Sequence, residues 1–340
     1  MEGGPNSSHG QGGAFFISLI IVLLAGCSTR YTPAPFNAAE HLPTVPYEDT
    51  PEHLFEDAVR ARESGDSIGA IQRFSSLVAS NHGTLETTYQ LGIALEEGQH
   101  YAQAAGVYHQ LKSEASGPMR QDAAFRLALC LWEIGEDRAA ARAIRSISSQ
   151  NAYQLSDRYT YDLAVGVAWT RVGKKRRGEQ KILETLVAAD GSNKAHWMRS
   201  LALHALLENT LSYAEEQDLT VRPKRQFKQL TARVTLLREA EDYLRRIMLL
   251  GEPHWMLAGW LDLGDAYTSF ASDMREAPVP KSLTPPQQEH YRAQLNNQAA
   301  PLQNKAILAY DRGLEVAIRS GRMDLQRATL LQERIKKHAP

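Results

Sequence analysis

The stretch GWLDLGDAYTSF, Gly259–Phe270, decides the fold class of this chain. It has the spacing W-x2-L-G-x2-Y, formed by Trp260, Leu263, Gly264 and Tyr267. This spacing is typical of the first helix of a two-helix hairpin that repeats about every 34 residues. The second helix should carry a small residue about nine positions after the tyrosine. That position is Glu276, and the prolines that follow it do not suit a helix interior. The second half of this hairpin must therefore lie further along the chain.

Four earlier hairpins share one phase. Each second helix has a small residue followed four positions later by a large apolar one, and the small residues are Ala70, Ala104, Ala140 and Gly178, spaced by 34, 36 and 38. A glycine marks each turn, at Gly65, Gly98, Gly135 and Gly173. Turn glycines recur because helices commonly end with a residue in the left-handed region. Small residues recur because closely packed helices leave no room for larger side chains.

These motifs resemble the tetratricopeptide-repeat family over most of residues 51–320. The resemblance implies an all-α fold, a right-handed solenoid of helical hairpins with an inserted segment in the last hairpin. After Asp190 the phase loosens, and two long apolar segments are interpreted as a degenerate fifth hairpin. Ala306 and Tyr310 then supply the second-helix pattern that is missing after Tyr267. An unrelated helical bundle is the alternative.

The chain is predicted to have four parts. Residues 1–26 form a lipoprotein signal peptide and 27–50 a lipidated, proline-rich tether. Residues 51–190 form four hairpins. Residues 191–340 hold degenerate hairpins, an insertion at 275–303 and a C-terminal capping helix.

The apolar segment Phe15–Gly26 is too short to span a membrane and resembles the core of a secretory signal peptide. It runs into Leu24-Ala25-Gly26-Cys27, which resembles the bacterial lipobox. That resemblance implies an acylated Cys27, with palmitate among its chains. Ser28 after the cysteine favours the outer membrane, facing the periplasm. The alternative is an ordinary signal peptide with a chance cysteine.

The composition excludes several function classes. A net charge of -1 gives no electrostatic case for nucleic acid. Motifs of zinc proteases, serine hydrolases, redox dithiols and phosphate loops are absent. We therefore predict no enzyme activity, no catalytic residues, no metal site and no cofactor.

Protein binding is the remaining function class. In the resembled family, first helices line a concave groove that holds partner segments. Mapped onto this chain, the first row of groove positions is Phe55, Tyr89, Phe125 and Leu163. The second row is Val59, Ile93, Leu129 and Val167, with Trp132 one turn further along the third hairpin. Because both rows are apolar, they predict an apolar or amphipathic partner segment. The alternative is that the solenoid or the tether covers these rows.

The insertion has features of its own. We expect a short helix from about 285 to 298, ended by Pro301, that docks through Tyr291 and Leu295. It either caps the last repeat or builds a partner surface. The region is similar to tetratricopeptide lipoproteins of myxobacteria, some of which serve gliding motility. The matching features are the proline-rich start, Leu283-Thr284, Tyr291, Leu295, Pro301-Leu302, Lys305-Ala306 and Tyr310.

The resulting hypothesis is a membrane-anchored periplasmic scaffold that binds other envelope proteins, such as those of gliding-motility machinery. The alternatives are an accessory lipoprotein of outer-membrane β-barrel assembly and an adaptor for peptidoglycan enzymes.

Overall fold

The computed structural model describes residues 31–33, 50–80, 82–147, 158–189, 196–221, 223–320 and 325–338. Within these ranges there are thirteen helices and no strand. In chain order they are α1 (Pro51–Glu63), α2 (Ser67–Ala79), α3 (Leu85–Glu97), α4 (Tyr101–Glu114), α5 (Gly117–Glu133), α6 (Asp137–Arg145), α7 (Arg158–Arg171), α8 (Lys175–Ala188), α9 (His196–Glu215), α10 (Pro223–Leu250), α11 (Pro253–Glu276), α12 (Pro285–Ser320) and α13 (Leu325–His338).

The helices pack as consecutive hairpins, and the all-α fold is confirmed. α1 pairs with α2, α3 with α4, α5 with α6, α7 with α8, α9 with α10, and α11 with α12. Each hairpin also packs on the next through neighbouring helices, and first helices touch along the series α7, α9 and α11. This arrangement is the solenoid architecture of tetratricopeptide repeats, in which stacked units bury one continuous core. None of the described helices is both long and apolar enough to cross a membrane.

Short polar residues start several of these helices. Thr84 accepts a hydrogen bond from the amide of Thr87 at 3.1 Å, and Asp66 accepts one from Gly69 at 2.9 Å. These are N-cap contacts, which satisfy amides that have no partner inside the helix. At the turns, Gly65, Gly135 and Gly173 have positive φ, as predicted. The second turn differs, because Gln99 rather than Gly98 takes the left-handed conformation, with φ of 61°.

Small residues are required where helices cross. A Cβ placed on Gly92 would lie 2.6 Å from the ring of Tyr108, and one on Gly264 would lie 2.3 Å from the ring of Tyr310. Both tyrosines are fully buried. Gly264 of the W-x2-L-G-x2-Y motif therefore marks the point where α12 crosses α11 and the ring of Tyr310 packs.

The last hairpin differs from the expected insertion. α11 continues to Glu276, and only residues 277–284 connect it to α12. α12 begins at Pro285 and runs through Pro301 to Ser320, so the predicted short helix and second hairpin helix form one helix of 36 residues. The prediction that Pro301 ends a helix was wrong.

Packing explains why Pro301 is tolerated. A proline inside a helix removes one hydrogen bond and costs about 3 kcal/mol. On either side of it, Leu295, Ala299 and Ala306 are buried, with Ala299 and Ala306 fully so. This burial on both sides of Pro301 keeps α12 continuous. The insertion is thus a lengthening of both arms of the hairpin.

Other predicted features lie at the chain ends. α13 occupies the position of the expected capping helix and packs on α11 and α12. The predicted signal peptide, the acylated Cys27 and most of the tether fall outside the described residues.

Candidate functional site

The two predicted groove rows are largely covered by the protein itself. Tyr89, Phe125, Trp132, Leu163 and Val167 are buried, at 9% exposure or less. Four other row residues, Phe55, Val59, Ile93 and Leu129, are half-buried. The rows therefore do not form the open apolar groove that the sequence predicts, and the alternative that the solenoid covers them holds for the five buried positions.

Helix α9 covers part of these rows. It is buried along nearly its whole length, from Met198 to Ala214. Phe125 of α5 meets Trp197 of α9 edge to face, with ring centroids 5.6 Å apart. A helix with apolar residues over most of its surface belongs largely in an interior, and α9 has 13 buried residues. The inner side of the solenoid around α9 is consequently closed by protein.

Tyr89 in particular has a structural role. Its hydroxyl donates to the carboxylate of Asp122 on α5 and accepts from Arg126 at 3.0 Å. Arg126 also donates to Glu96 at 2.8 Å, which ties α3 to α5. Burial and the nearby carboxylate raise the pKa of Tyr89 to about 12. The side chain that the sequence proposes as a partner anchor instead joins two neighbouring hairpins.

Charged groups also tie hairpins that are far apart in sequence. Glu133 at the end of α5 accepts from His254 of α11 at 3.0 Å and from Arg327 of α13 at 3.3 Å. Burial alone would raise the pKa of Glu133, but the bond from His254 and the charge of Arg327 bring it down to about 2. We call Glu133, His254 and Arg327 the clasp. It connects the third hairpin to the C-terminal end of the solenoid.

One group of side chains in the described part of the chain has metal-ligating chemistry: His204, Glu208 and Asp262. His204 Nε2 lies 2.8 Å from Asp262, whereas Nδ1 faces Glu208 at 3.7 Å. Burial lowers the pKa of His204, but the two carboxylates outweigh it and the net shift is upward. Arg171 holds Glu208 at 3.1 Å. With the carboxylates at opposite ring nitrogens and an arginine beside one of them, the arrangement suits an imidazolium between two anions better than a chelated metal.

An open groove lies beside α11 in the described part of the chain. α10 and α12 flank α11 and leave a groove of about 750 Å³ between them, which we call the outer groove. Three helices contribute apolar side chains to it: Leu244 and Met248 from α10, Met256, Trp260 and Leu263 from α11, and Leu308, Ala309 and Val316 from α12. Met248 is 41% exposed and Leu308 is 55% exposed. Large apolar side chains thus face solvent here and are not covered by any other part of the chain that the structure describes.

One end of the outer groove is closed by a polar cluster. Lys305 of α12 donates to Glu241 of α10 at 2.8 Å and lies 5.0 Å from the ring centroid of Tyr267. The hydroxyl of Tyr267 donates to the same carboxylate. Burial, together with that carboxylate, raises the pKa of Tyr267 far above its ordinary range. The phenol therefore stays neutral and acts as a donor that fixes α11 against α10.

The predicted docking residues lie near the other end of α10. The hydroxyl of Tyr291 donates to Gln226 at 3.1 Å, and Leu295 is buried. Together with Phe227 and Leu230 they line a smaller cleft of about 330 Å³. Tyr291 and Leu295 thus hold the extended half of α12 against α10.

The sequence contains a partial signal for the outer groove. Leu237, Leu244 and Met248 keep the spacing of an apolar helix face along α10. Leu237 and Leu244 are buried, but Met248 faces the outer groove. Periodicity identifies an apolar face but does not say whether a neighbouring helix covers all of it.

No family model and no curated protein matches the chain. Two solved structures are similar to it. A TPR repeats protein from Bacteroides fragilis has 12% identity and a TM-score of 0.32, covering 85% of this chain and 98% of that one. A tetratricopeptide repeat protein from Parabacteroides merdae has 11% identity and a TM-score of 0.43, covering 85% and 99%. The order and packing of its own helices give this chain the fold of a tetratricopeptide solenoid.

Proposed function

We propose that this protein is a lipid-anchored periplasmic scaffold that binds a partner protein through the outer groove. The observation that carries the proposal is the row of solvent-facing apolar side chains, including Met248 and Leu308, on an all-helical solenoid. Exposed apolar patches of this kind mark interaction sites. Methionine suits such sites because its flexible side chain adapts to different partners.

Attachment to the outer membrane is supported by Leu24-Ala25-Gly26-Cys27 at the end of a short apolar segment. Two or more acyl chains anchor a protein stably, because each buried methylene contributes ~0.8 kcal/mol. Cys27→Ala is expected to remove the protein from the membrane fraction. Fractionation followed by mass spectrometry of the N-terminal peptide measures this. An unchanged membrane association, with no lipid mass on the parent peptide, would contradict it.

A cell-envelope complex such as gliding-motility machinery is the setting we favour. The support is the similarity of the region around Pro301-Leu302 and Lys305-Ala306 to myxobacterial lipoproteins. Two other settings predict different partners. An accessory of β-barrel assembly would co-purify with a barrel insertase, and a peptidoglycan adaptor with hydrolases or synthases. Mass spectrometry of crosslinked membrane complexes separates the three.

Charges placed in the outer groove should weaken partner capture strongly. Met248→Glu combined with Leu308→Glu puts two carboxylates on its apolar surface. Loss of an anchor at an interface typically costs roughly 2 kcal/mol, which is about a 30-fold loss of affinity. The measurement is quantitative co-purification from the native host.

The matched control is Ile68→Glu with Val187→Glu. These residues are 69% and 78% exposed and lie on α2 and α8, away from the outer groove. The control should retain the partner, and both variants should keep the helical circular-dichroism signal. Equal capture by parent and groove variant would reject the outer groove as the binding site.

A further inference from the structure

Resting on the proposed function, we infer that the occupant of the outer groove is an amphipathic helix of about four turns with acidic residues beside its apolar face. The inference concerns the partner's chemistry, which the apolar row alone does not determine. Three features of the groove support it: its length, the spacing of its lining residues and its charge.

The length and spacing fit a helix. Along α12, the lining residues include Lys305, Leu308, Arg312, Val316 and Arg319, at steps of three and four. These steps trace one face of the helix, and at 1.5 Å per residue they extend for about 21 Å, or four turns. The lining residues of α10 and α11 also follow three- and four-residue steps. Rows of this spacing interlock with the ridges of another helix.

The molecule itself shows how its helices fill such spaces. On the inner side, the helix α9 packs against α7, α8, α10 and α11, and 13 of its 20 residues are buried. The outer groove offers three helix faces but has no fourth helix from the described part of this chain. An apolar helix from another protein completes the same kind of packing.

The charge of the groove indicates which residues should lie beside the apolar face of that helix. Its lining includes four basic residues, Arg245, Lys305, Arg312 and Arg319, and two acidic ones, Glu241 and Glu315. The lining residues therefore carry a net charge of +2, or +1 when Asp242 beside Arg245 is counted, whereas the whole chain has a net charge of -1. Lys305 is paired with Glu241 at the closed end. The excess positive charge lies at Arg245, Arg312 and Arg319, on both rims.

The rim arginines remain available to a partner. Arg312 pairs with Glu315 on its own helix at 2.9 Å, and Arg245 pairs with Asp242 at 2.6 Å, with every side chain about half exposed or more. Exposed pairs of this type contribute little to stability. Acidic residues of an incoming helix can replace or extend them. Complementary charge of this kind chooses between partners and sets the docking register.

The test uses two synthetic helical peptides of 14 residues with identical leucine faces. One carries glutamates beside that face and the other carries lysines. Binding to the full-length chain in lipid nanodiscs is measured by fluorescence anisotropy. We expect the acidic peptide to bind roughly tenfold more tightly or better, with a difference that shrinks as salt is added. Arg312→Glu with Arg319→Glu should reverse the preference. Arg138→Glu with Arg145→Glu, exposed positions on α6, should leave it unchanged.

Three results would overturn the inference. They are equal binding of the two peptides, binding of neither peptide, and displacement of the acidic peptide by oleate at concentrations that leave the nanodiscs intact. The last would identify the outer groove as a fatty-acid site. None of these results decides the proposed function, because co-purification of a native partner is measured separately.

Discussion

Replacing Gly264 with leucine is expected to destabilise the last hairpin by about 3 kcal/mol or more, among the larger costs of overpacking a core. Even a Cβ at this position would lie 2.3 Å from the ring of Tyr310. The ring cannot move aside easily, because its hydroxyl donates to Asp265 at 2.8 Å and pairs with Thr268 at 3.1 Å. Chemical denaturation followed by circular dichroism measures the loss, and hydrogen exchange locates it in α11 and α12.

A double-mutant cycle shows whether the clash is the cause. Tyr310→Ala removes the ring, so Gly264→Leu should cost at least ~1 kcal/mol less in that background. Ala300→Leu, at an exposed position of α12, is the control and should stay within about 0.5 kcal/mol of the parent. A Gly264→Leu protein as stable as the parent would show that α11 and α12 do not cross at this residue.

Glu133→Gln is expected to lower the free energy of unfolding by roughly 3 kcal/mol at neutral pH. The folded pKa of Glu133 is about 2, against an ordinary value of 4.5, and a depression of this size corresponds to about 3 kcal/mol. Since the folded pKa is the lower one, the stabilisation is fully present above pH 4.5. It should disappear as the pH falls from about 4.5 to about 2.

Stability measured over a pH series tests this prediction. The difference between parent and Glu133→Gln should be constant at neutral pH and shrink in the acid window. Hydrogen exchange should rise in α13, because Arg327 loses its ion pair with Glu133. Asp242→Asn, which removes an exposed pair with Arg245, should change stability by no more than about 0.5 kcal/mol. A Glu133 variant that matches Asp242→Asn at every pH would contradict the role of the clasp.

Local features of the fold could be predicted from the sequence. Gly264, Ala306 and Tyr310 identified the two halves of the last hairpin, because a helix crossing leaves a local mark of small and large residues. The start of α12 at Pro285 was also readable, since Thr284 precedes two prolines that fit the first positions of a helix. The end of the insertion could not be predicted from the sequence. Proline strongly disfavours a helix interior, but burial of Leu295, Ala299 and Ala306 outweighs that preference at Pro301.

The candidate site was harder to predict than the fold. Phe125 and Leu163 are apolar at the positions that line a groove in the resembled family, and the sequence alone does not say what covers them. That depends on how strongly the solenoid curves. Contacts such as Phe125 with Trp197 and Glu133 with His254 join residues far apart in the chain. Repeat motifs do not predict these long-range contacts. The coverage of the inner rows therefore could not be predicted from the sequence.

The most direct test places a photo-crosslinking amino acid at one position per variant in living cells. Met248 and Leu308 report on the outer groove, and Leu129 reports on the inner row. We expect crosslinked partner bands from Met248 and Leu308 and none from Leu129. Partner bands from Leu129, with none from the two outer-groove positions, would contradict it and return the binding site to the inner side of the solenoid.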